Sequence, residues 1–362
     1  MPGNLVSEAE GDVGDSTYRV GIIGCGRMAS TMDDEKRRQP GRVPQPGVLA
    51  GAYGRVAGTE VVAAADIDAD KLADFSGRWG VRRLYTDYRE MLAAEALDIV
   101  SVATHAHLHA EMTVAAAETG VKAVLCEKAM ATNLSDADRM IEACREAGTT
   151  LSVLYHNRWD PLMVRVKELV DDGVIGELIS IAGNMGPELV HEATHMFDLM
   201  RFWSGDEAAW VFGQLDGARE PHEDPGGSGY IQFQNGMHAF VNAVEGCPVG
   251  FEFDLVGTKG RIRIGYHVDE LWTVLEDVYE GRALLGRKIP QNIEARSGVA
   301  KAIEELVTCI EEGKTPSCSG EDGRKALEIA LAFHVSHRKG GAKVELPLQD
   351  TSLTVTNPKY FS

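Results

Sequence analysis

No run of 18 or more apolar residues occurs in the chain, so a helical membrane span is not expected. Basic residues are in deficit: 36 Lys and Arg stand against 55 Asp and Glu, for a formal net charge of −19. That balance argues against binding nucleic acid or an anionic membrane surface. The six cysteines, Cys25, Cys126, Cys144, Cys247, Cys309 and Cys318, are scattered and form no C-x-x-C pair. This argues against a disulfide framework and fits a reduced, cytoplasmic protein. The opening "MPGNLVSEAEGDVGDS" lacks the basic and apolar regions of a signal peptide, so residues 1–17 read as a disordered tail. No internal repeat and no low-complexity tract is present.

What is present suits two domains. The chain has 362 residues, 44% hydrophobic and 25% charged, an ordinary globular balance. Short apolar runs rich in β-branched residues recur at 18–24, 60–68, 98–104, 122–128 and 149–155. Helical stretches separate them, at 108–120 and at 135–148 with Ser135 as N-cap and Gly148 as stop. Alternating strands and helices predict a parallel sheet with helices on both faces, over residues 18–156. A helix at 160–173 then leads into strand-like runs at 178–184, 209–217, 228–236, 237–246, 250–265 and 270–277. Gln234-Asn235-Gly236 is a hairpin signal. Helices at 299–313 and 321–341 follow. Residues 157–348 therefore read as a second α/β domain on a mostly antiparallel sheet, with 349–362 as a C-terminal tail. The charged, proline-rich stretch 32–47 reads as an inserted loop.

Gly24-Cys25-Gly26-Arg27-Met28-Ala29 fits G-x-G-x-x-G/A directly after the first strand. Gly24 permits a tight turn, Gly26 lets backbone approach a pyrophosphate, and Ala29 allows close helix packing. The acid that should end the second strand is Asp66, 40 residues beyond Gly26 rather than roughly 20; the inserted loop accounts for the excess. A carboxylate there accepts from ribose hydroxyls and repels a 2′-phosphate, which favours NAD over NADP. Arg27 is a competing phosphate partner, and a solvated strand-end Asp is the plainer alternative.

"HEATH", residues 191–195, reads as H-E-x-x-H. On a helix this spacing places two histidines on one face, as in zinc proteases. No third histidine follows His195 closely, so no metal is expected.

Four stretches resemble the glucose–fructose oxidoreductase/inositol dehydrogenase family (Gfo/Idh/MocA): "GIIGCGRMA" with Asp66, "VATHAHLHAE" (102–111), "CEKAMA" (126–131) and "HEATHMFDLMRFWSG" (191–205). The resemblance runs from about Tyr18 to Leu348. It implies an N-terminal Rossmann domain and a C-terminal domain on a large open sheet. It also implies an NAD-dependent oxidoreductase acting on a ring hydroxyl of a sugar, cyclitol or glycoside. His195 falls on the family's catalytic histidine, the acid/base. Lys128 would polarise the substrate oxygen. His191 stands where many members have an aspartate and would bind a hydroxyl or share the proton. By the same resemblance Gly24, Cys25, Gly26, Arg27, Met28, Asp66, Thr104, His105, His109, Glu127 and Lys128 line the cofactor. Tyr155, Asn157, Arg158, His191 and Asp198 reach the polyhydroxylated substrate; a structural salt bridge is an equal reading of Arg158 and Asp198. The chain departs from the pattern at His105, Ala106 and Ala129. The last replaces a proline that often introduces a cis bond, so the nicotinamide side of the cleft is expected to differ in shape. Two other readings stay open: an NAD-retaining lyase or glycoside hydrolase running a closed oxidation–elimination–reduction cycle, and a non-catalytic NAD-binding regulator. A homodimer or homotetramer is implied through the open sheet.

Overall fold

The computed structural model describes residues 17–36, 46–217, 223–248, 250–275, 283–289 and 297–356. Residues 1–16, 37–45 and 357–362 lie outside it, and with them most of the predicted N-terminal tail and inserted loop and the end of the predicted C-terminal tail.

The apolar runs of the first half become β1 (Tyr18–Ile23), β2 (Thr59–Ala65), β3 (Arg83–Tyr85), β4 (Ile99–Val102), β5 (Ala123–Glu127) and β6 (Thr150–Leu154). All pair in parallel, in the order β3-β2-β1-β4-β5-β6. Every residue of β4 and β5 is buried, because helices cover both faces and leave no polar side for alternation. Those helices are α1 (Met32–Lys36), α2 (Leu49–Tyr53), α3 (Ala69–Trp79), α4 (Tyr88–Ala94), α5 (Ala106–Glu118) and α6 (Leu134–Ala147). The N-cap of α6 is Asn133, which accepts from Asp136 N–H, and not Ser135 as expected. Ser135 is occupied elsewhere: its N–H donates to Thr351 C=O at 3.0 Å. Gly148 ends α6 in the left-handed region, at φ 70°. The strand order reverses between β1 and β4, so their carboxyl ends open a crevice, the usual ligand position in such sheets.

A 3-10 turn, His156–Trp159, and α7 (Pro161–Asp171) lead into the second sheet. Its strands are β7 (Leu178–Met185), β8 (Ala208–Leu215), β9 (Gly227–Phe233), β10 (His238–Ala243), β11 (Phe251–Gly257), β12 (Gly260–Gly265), β13 (Asp269–Leu275), β14 (Ala283–Lys288) and β15 (Val344–Glu345). The order is β14-β13-β12-β11-β7-β10-β9-β8-β15, antiparallel except for the parallel β7–β10 pair. The single run expected over 250–265 is two strands, β11 and β12, turned at Thr258 and Lys259. β3, β14 and β15 were not foreseen. β3 and β15 are three and two residues long, too short for a periodicity to register.

One face of this sheet carries α8 (Thr194–Ser204) and α10 (Gly320–Arg338). A Cβ at Gly183 of β7 would stand 2.4 Å from Met196 Sδ, so α8 lies against bare backbone. The other face exposes an aromatic row. Trp210 and Phe212 stack on Tyr230, and Tyr230 stacks on His238. Phe212 is 42% and Phe240 50% exposed.

Two segments assigned to the second half return to the first. α9 (Gly298–Glu312) packs on α2, β6 and the 3-10 turn. The expected C-terminal tail, where described, is docked: Val355 N–H donates to Thr132 C=O at 3.0 Å and Val355 is 1% exposed.

Candidate active site

A cleft of about 890 Å³ runs from the β1–β4 crevice to the start of α8. Its first wall is the glycine loop, Gly24 to Met28. Gly24 sits at φ 94°, and a Cβ there would come within 2.7 Å of Ala103 O; only glycine fits. Gly26 lines the cleft, and a Cβ there would meet no protein atom within 4 Å, so this backbone faces open space. Arg27–Thr31 forms a π-helical turn that continues into α1. Asp66 lies where the sequence placed it, lining the cleft at the end of β2. Its carboxylate also clips the loop, accepting from Cys25 N–H at 2.8 Å and Asp68 N–H at 2.9 Å. Arg27 is held by Glu35 at 2.8 and 2.7 Å. Asp70 and Asp74 add carboxylates to the same wall. Burial, then Asp66, pushes the Cys25 thiol up to about 12, so Cys25 serves through its backbone. The open glycine backbone, the acid at β2 and the volume fit a dinucleotide.

The middle of the cleft comes from the ends of β4 and β5. Thr104, His105, Glu127 and Lys128 line it. Glu127 is 7% exposed, and burial raises its carboxyl to about 7 against the opposing Lys128 charge. The Lys128–Ala129 peptide is cis, so the geometry expected to be lost with the proline is present. His109 corrects the expectation of a cofactor contact. It is wholly buried, with one ring nitrogen 3.0 Å from Thr104 O and the other 3.0 Å from Ala129 O; a neutral ring has one N–H and donates to one of the two. It lies packed between the β4 and β5 loops.

The third wall holds the HEATH stretch. α8 begins only at Thr194, so His191 and Glu192 occupy the turn before it and the pattern is not one helix face. The two histidines still line one cleft with Lys128. Lys128 Nζ donates to His191 C=O at 2.7 Å and lies 3.7 Å from Glu192 Oε1. His195 is 4% exposed and packed edge-to-face against Tyr155 and His156, at 5.5 and 4.9 Å. Burial, then the Lys128 charge, pushes His195 well below its ordinary value and His191 down to about 3. Both imidazoles are neutral near pH 7. Among the described residues, one ligand atom each of Glu188, His191 and Glu192 lies within 4.8 Å of the others, a grouping that could hold a metal ion and that does not include His195.

Three substrate contacts expected from the sequence are corrected. Arg158 and Asp198 form a buried pair, Nη2–Oδ1 2.5 Å and Nε–Oδ2 3.1 Å, with side chains 7% and 0% exposed. Arg158 also donates to Ser317 C=O. Tyr155 is 0% exposed and its hydroxyl has no hydrogen-bond partner among the described residues. None of the three lines the cleft; Asn157 does, together with His156, Met185, Glu192 and Tyr266. The last four were not foreseen. His156 adjoins Asn157 in the junction stretch, but Tyr266 lies in the β12–β13 connection and is held beside the start of β11 by its N–H bond to Phe251 C=O at 3.1 Å.

A glycine loop at the switch point of a parallel sheet, facing a lysine and a neutral histidine across one cleft, defines a two-domain dinucleotide-dependent oxidoreductase. Family models agree on both halves. Residues 18–155 match an oxidoreductase family with an NAD-binding Rossmann fold, and residues 167–346 match that family's C-terminal α/β domain. The chain belongs to the Gfo/Idh/MocA oxidoreductase family. It is 40% identical over 324 residues to a D-apiose dehydrogenase of Paraburkholderia graminis, covering 80% of this chain and 84% of that one. It is 31% identical over 351 residues to inositol 2-dehydrogenase 3 of Saccharopolyspora erythraea, covering 92% and 97%. Its fold resembles that of a levoglucosan dehydrogenase solved with NADH and levoglucosan, with TM-score 0.77 and 23% identity over 92% of this chain and all of that one.

Proposed function

We propose that this chain is an NAD-dependent dehydrogenase that oxidises a ring hydroxyl of a sugar, cyclitol or glycoside. His195 is the acid/base and Lys128 polarises the reacting oxygen. The observation that carries this reading is the placement of the Lys128 ammonium and a buried, neutral His195 on the cleft that the glycine loop also lines. When bound, the nicotinamide supplies the hydride acceptor. The protein then has to hold the carbinol, take its proton and stabilise the developing alkoxide. A neutral imidazole accepts the proton. The ammonium, steadied by His191 C=O and Glu192, stabilises the oxygen as it gains charge. His191 and Asn157 offer hydroxyl partners on the same wall. The relatives named for apiose and inositol act on polyhydroxylated substrates by their names, which supports the substrate class. NAD is favoured over NADP, because Asp66, Asp70 and Asp74 outnumber Lys71, the cation beside them on the glycine-loop wall, and Arg27 is already paired with Glu35. The exposed aromatic row of the second sheet supports a homodimer or homotetramer, and the six scattered, unpaired cysteines support a reduced, cytoplasmic enzyme.

The test is a substrate panel of sugars, cyclitols and glycosides, with NAD or NADP, followed by nicotinamide absorbance. One or more ring polyols should reduce NAD in preference to NADP. His195→Ala should lower the rate by about 10²–10⁴-fold, and chelator should not. Silence across the panel would overturn the reading.

A further inference from the structure

We infer that Asp224 is a positioning residue that holds both His191 and Lys128 in place, a role that rests on the proposed dehydrogenase reading. Asp224 lies just ahead of β9 in the stretch "EDPGG", remote in sequence from every motif above. Its side chain is 2% exposed. Oδ1 accepts from Val190 N–H at 2.9 Å and Oδ2 from His191 N–H at 2.8 Å, so one carboxylate clasps two successive amides of the turn before α8. Hydrogen bonds to a buried carboxylate are charge-assisted and stronger than neutral ones. A second bond ties the same two segments, from Leu189 N–H to Pro225 C=O at 3.2 Å.

On the other side of His191, its carbonyl receives the Lys128 ammonium at 2.7 Å. The His191 residue is thus fixed at its amide by Asp224 and at its carbonyl by Lys128. The turn has no regular helix of its own to hold it, since α8 starts only at Thr194. Glu188 in this turn adopts φ 79°, an unfavourable region for glutamate, so the turn needs outside support. His334 of α10 stands behind the carboxylate, Nε2 to Oδ1 3.8 Å, and is itself 2% exposed. Asp224 is therefore seated on the helix layer of the second sheet and conveys that rigidity to the substrate side of the cleft.

Replacing Asp224 by Ala leaves the Val190 and His191 N–H groups without their acceptor, and replacing it by Asn leaves one of them so, which lets the His191 carbonyl drift and frees Lys128. A misplacement of about 1 Å in such a group costs on the order of 10²-fold in rate. The test uses Asp224→Asn and Asp224→Ala in the full chain, with two readouts. The first is acylation of lysines by a small anhydride, followed by mass spectrometry. Lys128, whose side chain is 13% exposed, should label about tenfold faster in the variants, the loosening expected when a bond to a charged group is lost. Lys122 and Lys301 should label at unchanged rates. The second readout is kinetics: kcat/KM for the oxidised polyol should fall by about 10²-fold, with NAD affinity within about twofold of wild type because the glycine loop is untouched. Unchanged Lys128 labelling in the folded Asn variant would overturn the inference, whatever the activity. Labelling that rises while kcat/KM stays at wild type would also overturn it. If the wild-type chain oxidises no polyol, the dehydrogenase reading fails separately, and the labelling still decides whether Asp224 anchors Lys128.

Discussion

At the scale of single residues, the site's chemistry rests on histidines held neutral by burial. His109 is pushed down to about 4, His191 to about 3, and His195 well below its ordinary value, in each case by desolvation first. In the unfolded chain these imidazoles titrate near 6.5. As pH falls below that value the unfolded state gains three protons that the folded state refuses, so stability falls with pH. Glu127 works the other way. Raised to about 7, it holds a proton when folded that the unfolded chain has released above its ordinary 4.5, and so it offsets one histidine. The histidines outweigh Glu127 between pH 4.5 and 6.5, and His105 and His107, also lowered by burial, act in the same sense; each net proton predicts a loss of about 1.4 kcal/mol per pH unit as pH falls. Urea titrations across that window measure it, and His191→Gln should lessen the slope by about 1.4 kcal/mol per unit. A flat profile would mean that these imidazoles charge in the folded state. Lys128, His191 and His195 could be singled out from sequence because motif and resemblance mark them. That His109 lies buried between two backbone carbonyls, off the cleft, could not. Its burial follows from the packing of α5 under the β4 and β5 loops.

At the scale of elements, strands and helices with strong patterning were legible. β1, β2, β4, β5 and β6 fall within a few residues of the apolar runs, because fully covered parallel strands leave no polar interruption. The errors came where tertiary contacts decide. Asn133 caps α6 because Ser135 is drawn to the C-terminal segment. The HEATH stretch carries a helical spacing, yet its first residues form a separate turn clasped by Asp224. Asp198 lies one turn beyond His195, as the sequence shows, but faces the 3-10 turn at His156–Trp159 and joins α8 to it through Arg158. Breaking a buried pair by removing one charge costs about 3–5 kcal/mol. Asp198→Asn should therefore lower the unfolding free energy by that amount in urea melts, while a direct substrate ligand on the surface would change KM with little loss of stability.

At the scale of the whole molecule, two sheets meet at one cleft, and the chain crosses between them more often than its domain order suggests. α9 and residues 349–356 return to the first domain: α9 packs on α2 and β6, and Val355 bonds to Thr132, four residues beyond Lys128. That return was not legible, because helix periodicity reveals an apolar face but not which layer covers it. The open sheet itself was expected, and its uncovered face carries Trp210, Phe212, Tyr230, His238 and Phe240 as a contiguous aromatic row. Exposed apolar patches of this kind mark association surfaces. Phe240→Glu should shift the protein to a smaller species in sedimentation or light scattering, whereas an unchanged mass would remove this face from the assembly.

The central claim is that the carbinol hydrogen leaves for the nicotinamide while His195 takes the proton beside Lys128. The most direct measurement uses a polyol found active in the panel, deuterated at the reacting carbon. Reduced nicotinamide is collected from single turnovers of wild type and of His195→Ala. The account predicts deuterium in the wild-type nicotinamide and transfer slowed by about 10²–10⁴-fold in the variant, with NAD affinity unchanged. Deuterium transferred at the wild-type rate without His195, or lost to water in the wild type, would contradict it.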